Sequence, residues 1–106
     1  MKKEVIKKIF IVEDNDQTRK NIVDLLKIHS VEINAFSSSE EFLNFYKGEK
    51  ALLILDIRLP GMSGLKLHQH LLKKYKNPLF KVVFISAHGD IEMAVSALKN
   101  GASDFI

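Results

Sequence analysis

Cysteine is absent from the 106 residues. That excludes disulfides, thiolate metal sites and thiol catalysis, and it fits a reducing compartment. No apolar run approaches the ~20 residues that a membrane-spanning helix needs. The opening Met1-Lys2-Lys3-Glu4-Val5 lacks the apolar core of a secretory signal. The expected location is therefore the cytoplasm, with no membrane partner. Internal repeats, low-complexity tracts and linker-like stretches are missing too. Excess charge is scarce: the formal net charge is +3, and Lys2, Lys3, Lys7 and Lys8 set against Glu4 account for all of it. The remainder is neutral, so the sequence pI near 9.2 reflects a basic flank and not a basic groove. Direct nucleic-acid binding is not expected of such a distribution.

What is present is enough for one small domain with a real core. Hydrophobic residues make up 46% of the chain and charged residues 27%, as in ordinary globular proteins. Short apolar runs alternate with amphipathic stretches. Ile9-Phe10-Ile11-Val12 is too short for a helix and apolar enough for a strand buried on both faces. From residue 15 or 16 to 29 the period changes, with Ile22, Leu25, Leu26 and His29 spaced as one helical face. Residues 31–36 return to a strand, with Val31, Ile33 and Ala35 alternating against Glu32 and Asn34. Ser38 and Glu41 then have capping-box spacing ahead of a helix with Phe42, Leu43 and Phe45 on its apolar side, which Gly48 ends.

Residues 51–55 form a third apolar strand closed by Asp56, and Pro60-Gly61-Met62-Ser63-Gly64 is loop chemistry. A helix over 65–75 directs Leu65, His68 or Leu67, Leu71 and Leu72 inward, and Asn77-Pro78 breaks it. A fourth strand covers 81–86. Asp90 caps a fourth helix, Asn100-Gly101 closes it, and 103–106 open a fifth strand. Alternation of this kind implies an α/β fold, a parallel sheet with helices on both faces and right-handed crossovers.

In such sheets ligands bind beyond the carboxyl ends of the strands, at the switch point of the strand order. Glu13-Asp14 follows the first strand, Asp56 the third and Ser86 the fourth, so all four converge on one edge. Singly, each has an ordinary explanation: Asp14 or Asp16 as a helix cap, Asp56 as a turn residue, Ser86 bonded to backbone. Those explanations leave the joint placement unaccounted for. Full charges ~4 Å apart repel by about 4 kcal/mol at an effective dielectric of about 20. Either one carboxyl keeps a proton or a cation binds. Oxygen donors without cysteine or a well-placed histidine favour Mg²⁺ or Mn²⁺.

These residues also carry a family resemblance. Ile9-Phe10-Ile11-Val12-Glu13-Asp14-Asn15 resembles the opening of response-regulator receiver domains. The stretch Leu53-Ile54-Leu55-Asp56-Ile57-Arg58-Leu59-Pro60-Gly61-Met62-Ser63-Gly64 resembles their phosphorylation motif. Val83-Phe84-Ile85-Ser86-Ala87-His88-Gly89-Asp90 resembles their switch segment, and Lys99-Asn100-Gly101-Ala102-Ser103-Asp104-Phe105-Ile106 their fifth-strand entry. The likeness runs along essentially the whole chain and is nearest to receivers of transcriptional regulators of the nitrogen-fixation and dicarboxylate-response types.

The resemblance implies a doubly wound, flavodoxin-like parallel sheet of five strands in the order 2-1-3-4-5, with residues 1–106 forming one receiver domain. It implies a phosphoacceptor role for Asp56 and Mg²⁺ (or Mn²⁺) ligation by Asp14, Glu13, Asp56 and the Arg58 backbone carbonyl. Ser86 would be the switch hydroxyl, the Ala87 N–H would help hold the phosphoryl group, and Phe105 would be the switch aromatic, working by packing alone. A sensor histidine kinase would be the donor, and a DNA-binding output domain would lie outside this chain. Such a receiver is not an enzyme beyond catalysing its own phosphorylation and dephosphorylation. The family lysine three residues past the switch aromatic would fall beyond Ile106, as would the rest of the fifth strand and the fifth helix. The expectation is thus a fragment or shortened chain whose open edge invites a homodimer or swapping.

Three other functions share parts of this pattern. An aspartyl-nucleophile phosphatase would carry a second acid two residues after the nucleophile, where Arg58 stands. A flavodoxin-like cofactor binder would want a Ser/Thr/Gly-rich loop where Glu13-Asp14 stands. A receiver-like docking or dimerisation module that is never phosphorylated is the remaining alternative, favoured by the absent lysine alone.

Overall fold

Every strand of the computed structural model, which describes residues 6–85, runs parallel to its neighbours. β1 (Lys8–Val12), β2 (Glu32–Phe36), β3 (Ala51–Asp56) and β4 (Phe80–Ile85) form one sheet in the order β2-β1-β3-β4. In-register pairing runs from Lys8–Glu32 to Val12–Phe36 between β1 and β2, and from Ala51–Phe80 to Asp56–Ile85 between β3 and β4. The four strands thus take the expected order 2-1-3-4, with the switch point between β1 and β3. The expected fifth strand, and the fourth helix before it, lie outside the described residues.

Alternation along the strands divides the core in two. Ile9, Ile11, Leu52, Ile54, Val83 and Ile85 point to one face and pack under helix α1 (Asp16–Leu26) through Ile22, Val23 and Leu26. Phe10, Val12, Leu53 and Leu55 point to the other, under α2 (Ser39–Phe45) and α3 (Gly64–Lys74) through Phe42, Leu67 and Leu71. The second layer is aromatic: Phe10 meets Phe42 and Tyr46 edge-on, at centroid distances of 5.6 and 5.2 Å. Buried residues of this size contribute about 1.5–3 kcal/mol each.

Several faces differ from the periodicity that predicts them. α1 stops at Leu26, and residues 27–29 tighten into a 3₁₀ turn that ends at Ser30 in the left-handed region. Within that turn His29 is half-buried and Ile28 is exposed. Leu25 is half exposed, and Val23 packs inward in its place. Ala35 is exposed because β2 is the edge strand. In α2, Phe45 is half exposed, and Tyr46, not Gly48, ends the helix, donating its N–H to Phe42. In α3 the buried face is Gly64, Leu67 and Leu71, while Leu65 and Leu72 are half exposed. Gly64 sets that rotation: a Cβ there would collide with the Asp56 carbonyl oxygen. The helix is seated on its glycine, and positions three and seven residues on must face the sheet.

Candidate functional site

β1 and β3 are neighbours, so the residues that follow them emerge side by side. The Glu13 N–H donates to Phe36 O at 3.0 Å, continuing the β1–β2 ladder one step past the strand. This holds Glu13 down, and its side chain is 5% exposed. Asp14 is exposed, and Asp56, the last residue of β3, is half-buried. One carboxylate oxygen from each of the three lies within 4.8 Å of the others. The sheet therefore brings together the three acids that the sequence singles out, 42 residues apart in the case of Asp14 and Asp56.

The local hydrogen bonds leave the aspartates available. Asn15 caps α1, its side chain accepting from Thr18 N at 2.8 Å. Neither Asp14 nor Asp16 is the cap. The Asn15 N–H donates to Glu13 Oε2 at 3.0 Å. Arg19 reaches back along the helix, donating to the Glu13 carbonyl at 3.0 Å and pairing with Asp16 at 2.6 Å. Its guanidinium is spent on main chain and on an exposed acid. Arg58 is exposed, and its main-chain N–H donates to Asp56 Oδ1 at 3.0 Å. The turn role of Asp56 is thus real, and it occupies one oxygen.

Among the described residues no ion pair reaches Glu13, Asp14 or Asp56. The electrostatic consequence falls on the buried member. Burial pushes the Glu13 carboxyl up to about 7 from an ordinary 4.5, against the Asn15 N–H bond, and the neighbouring Asp56 charge and shared hydrogen bonding with Asp56 and Asp14 push the same way. An all-oxygen, all-carboxylate donor set with two of three members open to solvent fits a hard divalent cation such as Mg²⁺. Ser86, Ala87 and Phe105 lie outside the described residues.

The loop after Asp56 is braced from β4, from α3 and from α2. The Ile57 N–H donates to Ile85 O at 3.0 Å and the Gly64 N–H to Ile57 O at 3.2 Å. Ser39 Oγ donates to Met62 O at 2.9 Å, and the Met62 N–H donates to Glu40 Oε2 at 3.3 Å. Of Ser37, Ser38 and Ser39, Ser38 caps α2, accepting from Glu41 N. The capping box is shifted by one: Glu41 accepts from the N–H and hydroxyl of Ser37, and these bonds hold its carboxyl below the usual range.

A doubly wound parallel sheet with three acids gathered at its switch point is an α/β domain with a ligand edge where such sheets bind their ligands. The response regulator receiver domain family matches residues 9–106, and the chain belongs to that family. Nodulation protein W of Bradyrhizobium diazoefficiens is 38% identical over 99 residues, covering 92% of this chain and 43% of that protein. The C4-dicarboxylate transport transcriptional regulatory protein DctD of Rhizobium meliloti is 35% identical over 99 residues, covering 92% of this chain and 21% of the relative. The chain thus spans less than half the length of these relatives. Among solved structures, the response regulator TrrA of Thermotoga maritima in complex with Mg²⁺-BeF aligns with a TM-score of 0.68 at 29% identity, covering 87% of this chain and 79% of that one. TrrA in complex with the histidine kinase ThkA gives a TM-score of 0.66 at 32% identity, over 78% and 71% of the two chains.

Proposed function

We propose that this chain is the phosphoacceptor receiver of a two-component system and that Asp56 takes the phosphoryl group. The observation that carries the reading is the meeting of Glu13, Asp14 and Asp56 within 4.8 Å at the carboxyl edge of a receiver-family sheet. The Asp56 carboxylate attacks the phosphorus of a kinase phosphohistidine. An O–P bond forms, the N–P bond breaks, and the imidazole leaves with the electron pair. Glu13, Asp14, Asp56 and the Arg58 carbonyl would hold a divalent cation, Mg²⁺ or Mn²⁺, which would supply positive charge against the transferring oxygens. Arg58 N–H fixes one Asp56 oxygen and leaves the other for the attack. Water later cleaves the acyl phosphate at phosphorus and returns the carboxylate. The chemistry is confined to the chain's own modification, which is signalling and not enzyme turnover.

Ser86 and the Ala87 N–H hold the phosphoryl group, and Phe105 responds by repacking, so the phosphorylated state shifts a conformational population. The kinase–TrrA structure supports a sensor histidine kinase as partner, and the transcriptional relatives support a DNA-binding output domain beyond this chain. Residues 1–106 then serve as one receiver domain acting in the cytoplasm. No helix among the described residues is long and apolar enough to cross a membrane. Acetyl phosphate with Mg²⁺, read by intact mass beside Asp56→Asn, tests the reading. A single phosphoryl adduct lost in the variant is expected. No adduct on the parent would leave a docking or dimerisation module that is never phosphorylated.

A further inference from the structure

The turn Pro60-Gly61-Met62 lies between two stretches that are tied to the sheet at Ile57 and to α3 at Gly64. Its own polar atoms are held from α2, a different element, 22 and 23 residues away in sequence. Ser39 is fully buried, and as the first residue of α2 its hydroxyl is not needed for the cap, which Ser38 supplies. It donates instead to Met62 O. Glu40, exposed and next in sequence, takes the Met62 N–H. The carboxylate also closes over Gly61, whose φ of +74° only glycine adopts readily and whose Cβ position would lie 3.1 Å from Glu40 Oε2. One residue of the loop, Met62, is thus gripped at both its main-chain donor and its main-chain acceptor, so the peptide units on either side of it are held. A buried residue needed only for volume would be served by alanine; a hydroxyl there must be bonded, because leaving it unpaired is costly.

We infer that Ser39 and Glu40 are positioning residues for the chemistry at Asp56: through Met62 they fix the 57–63 loop, and with it the Arg58 main chain against the Asp56 carboxylate. This rests on the proposed function. The Arg58 N–H is bonded to Asp56 Oδ1, and the carbonyl on the same residue is the main-chain ligand of the proposed cation site. Orientation by groups behind the ligands is worth roughly tenfold or more in affinity or rate in metal sites. Small displacements of a reacting group have comparable effects.

The test uses the whole chain with Glu40→Ala, Glu40→Gln and Ser39→Ala. Mn²⁺ binding is followed by electron paramagnetic resonance, and acetyl phosphate labelling by intact mass. Glutamine keeps an acceptor for the Met62 N–H but removes the same charge as alanine does. Glu40→Ala and Ser39→Ala are expected to weaken Mn²⁺ binding and slow labelling by roughly tenfold, while Glu40→Gln stays within about twofold of the parent. Mn²⁺ affinity of Glu40→Ala equal to the parent's would overturn the inference. So would Glu40→Gln falling as far as Glu40→Ala, since charge would then be the cause. A parent that binds Mn²⁺ but takes no phosphoryl group would overturn the proposed function alone, and the Mn²⁺ series would still decide the positioning role. A parent that binds no Mn²⁺ would overturn both.

Discussion

The two ends of the sheet treat acidic residues in opposite ways. At the amino edge, Lys8 opens β1 and lies 3.3 Å from Glu49 and 3.9 Å from Glu32, each just before or at the start of a neighbouring strand. Glu49 also accepts from the Lys47 N–H, and its own carbonyl takes the Tyr46 hydroxyl at 2.6 Å. Burial works to raise the Glu49 carboxyl, but it is outweighed by main-chain hydrogen bonds from Glu49 and Lys47 and by Lys8, and the group sits below its ordinary value. At the carboxyl edge three acids meet with no cation of their own among the described residues, and Glu13 rises to about 7. The acids at the amino edge come with their counter-charge in Lys8. Those at the carboxyl edge are left to a proton or to an ion from solution, the condition under which a site can be loaded and unloaded.

The largest effect should come from disturbing the seat of α3 beneath Asp56. Gly64→Ala places a methyl group against the Asp56 carbonyl, and we expect a loss of about 3–5 kcal/mol in urea unfolding. A loss under about 1 kcal/mol would mean that the loop yields and that the close approach is not what sets the helix.

Acidity separates the edges next. Between the unfolded value of 4.5 and the folded value of about 7, native Glu13 binds more protons than unfolded Glu13. Without divalent cation, stability contributed here is complete below 4.5 and falls as pH rises through 7, by up to roughly 3 kcal/mol. The depressed Glu49 has the reverse sign: its contribution is complete above 4.5 and is lost on acidification below that. Thermal melts at pH 5 and pH 8 should show Glu13→Gln flatter than the parent and more stable at pH 8 in a chelator. Added Mg²⁺ should stabilise the parent at pH 8 far more than the variant. A parent whose metal-free stability is flat or rises across this interval would contradict the assignment of the excess proton to Glu13.

The smallest effect belongs to the amino edge. Its lysine is partly solvated, so Lys8→Ala should cost about 0.5–1 kcal/mol, shrink in high salt and leave the Mg²⁺ response unchanged. A changed Mg²⁺ response would show that the two edges are coupled through β1.

Much of this was legible in the chain itself, for identifiable reasons. Ile9 to Val12 and Ala51 to Leu55 are apolar without interruption because both faces of their strands are covered, and that alone implies helices on two sides. The acids were legible because they stand directly after such runs, where the architecture fixes their location. Helix faces were less so. The spacing of Leu25 from Ile22 is compatible with a stripe, but α1 packs through Ile22, Val23 and Leu26, and Gly64 rotates α3 by a contact with Asp56 that periodicity does not encode. The Ser39–Met62 and Glu40–Met62 bonds join elements more than twenty residues apart and leave no local signature. The Asn15 cap sits between two aspartates that are equally good caps by type, and only the β1–α1 geometry selects it.

In the proposed function, Asp56 accepts a phosphoryl group only when an external cation completes the carboxyl edge. The most direct measurement treats the chain with acetyl phosphate in Mg²⁺ or in a chelator, then reduces the product with borohydride and maps the modified residue by peptide mass. One adduct is expected, on Asp56, formed with Mg²⁺ and not in the chelator. An adduct that forms equally well without divalent cation, or that maps to another residue, would contradict the proposed function.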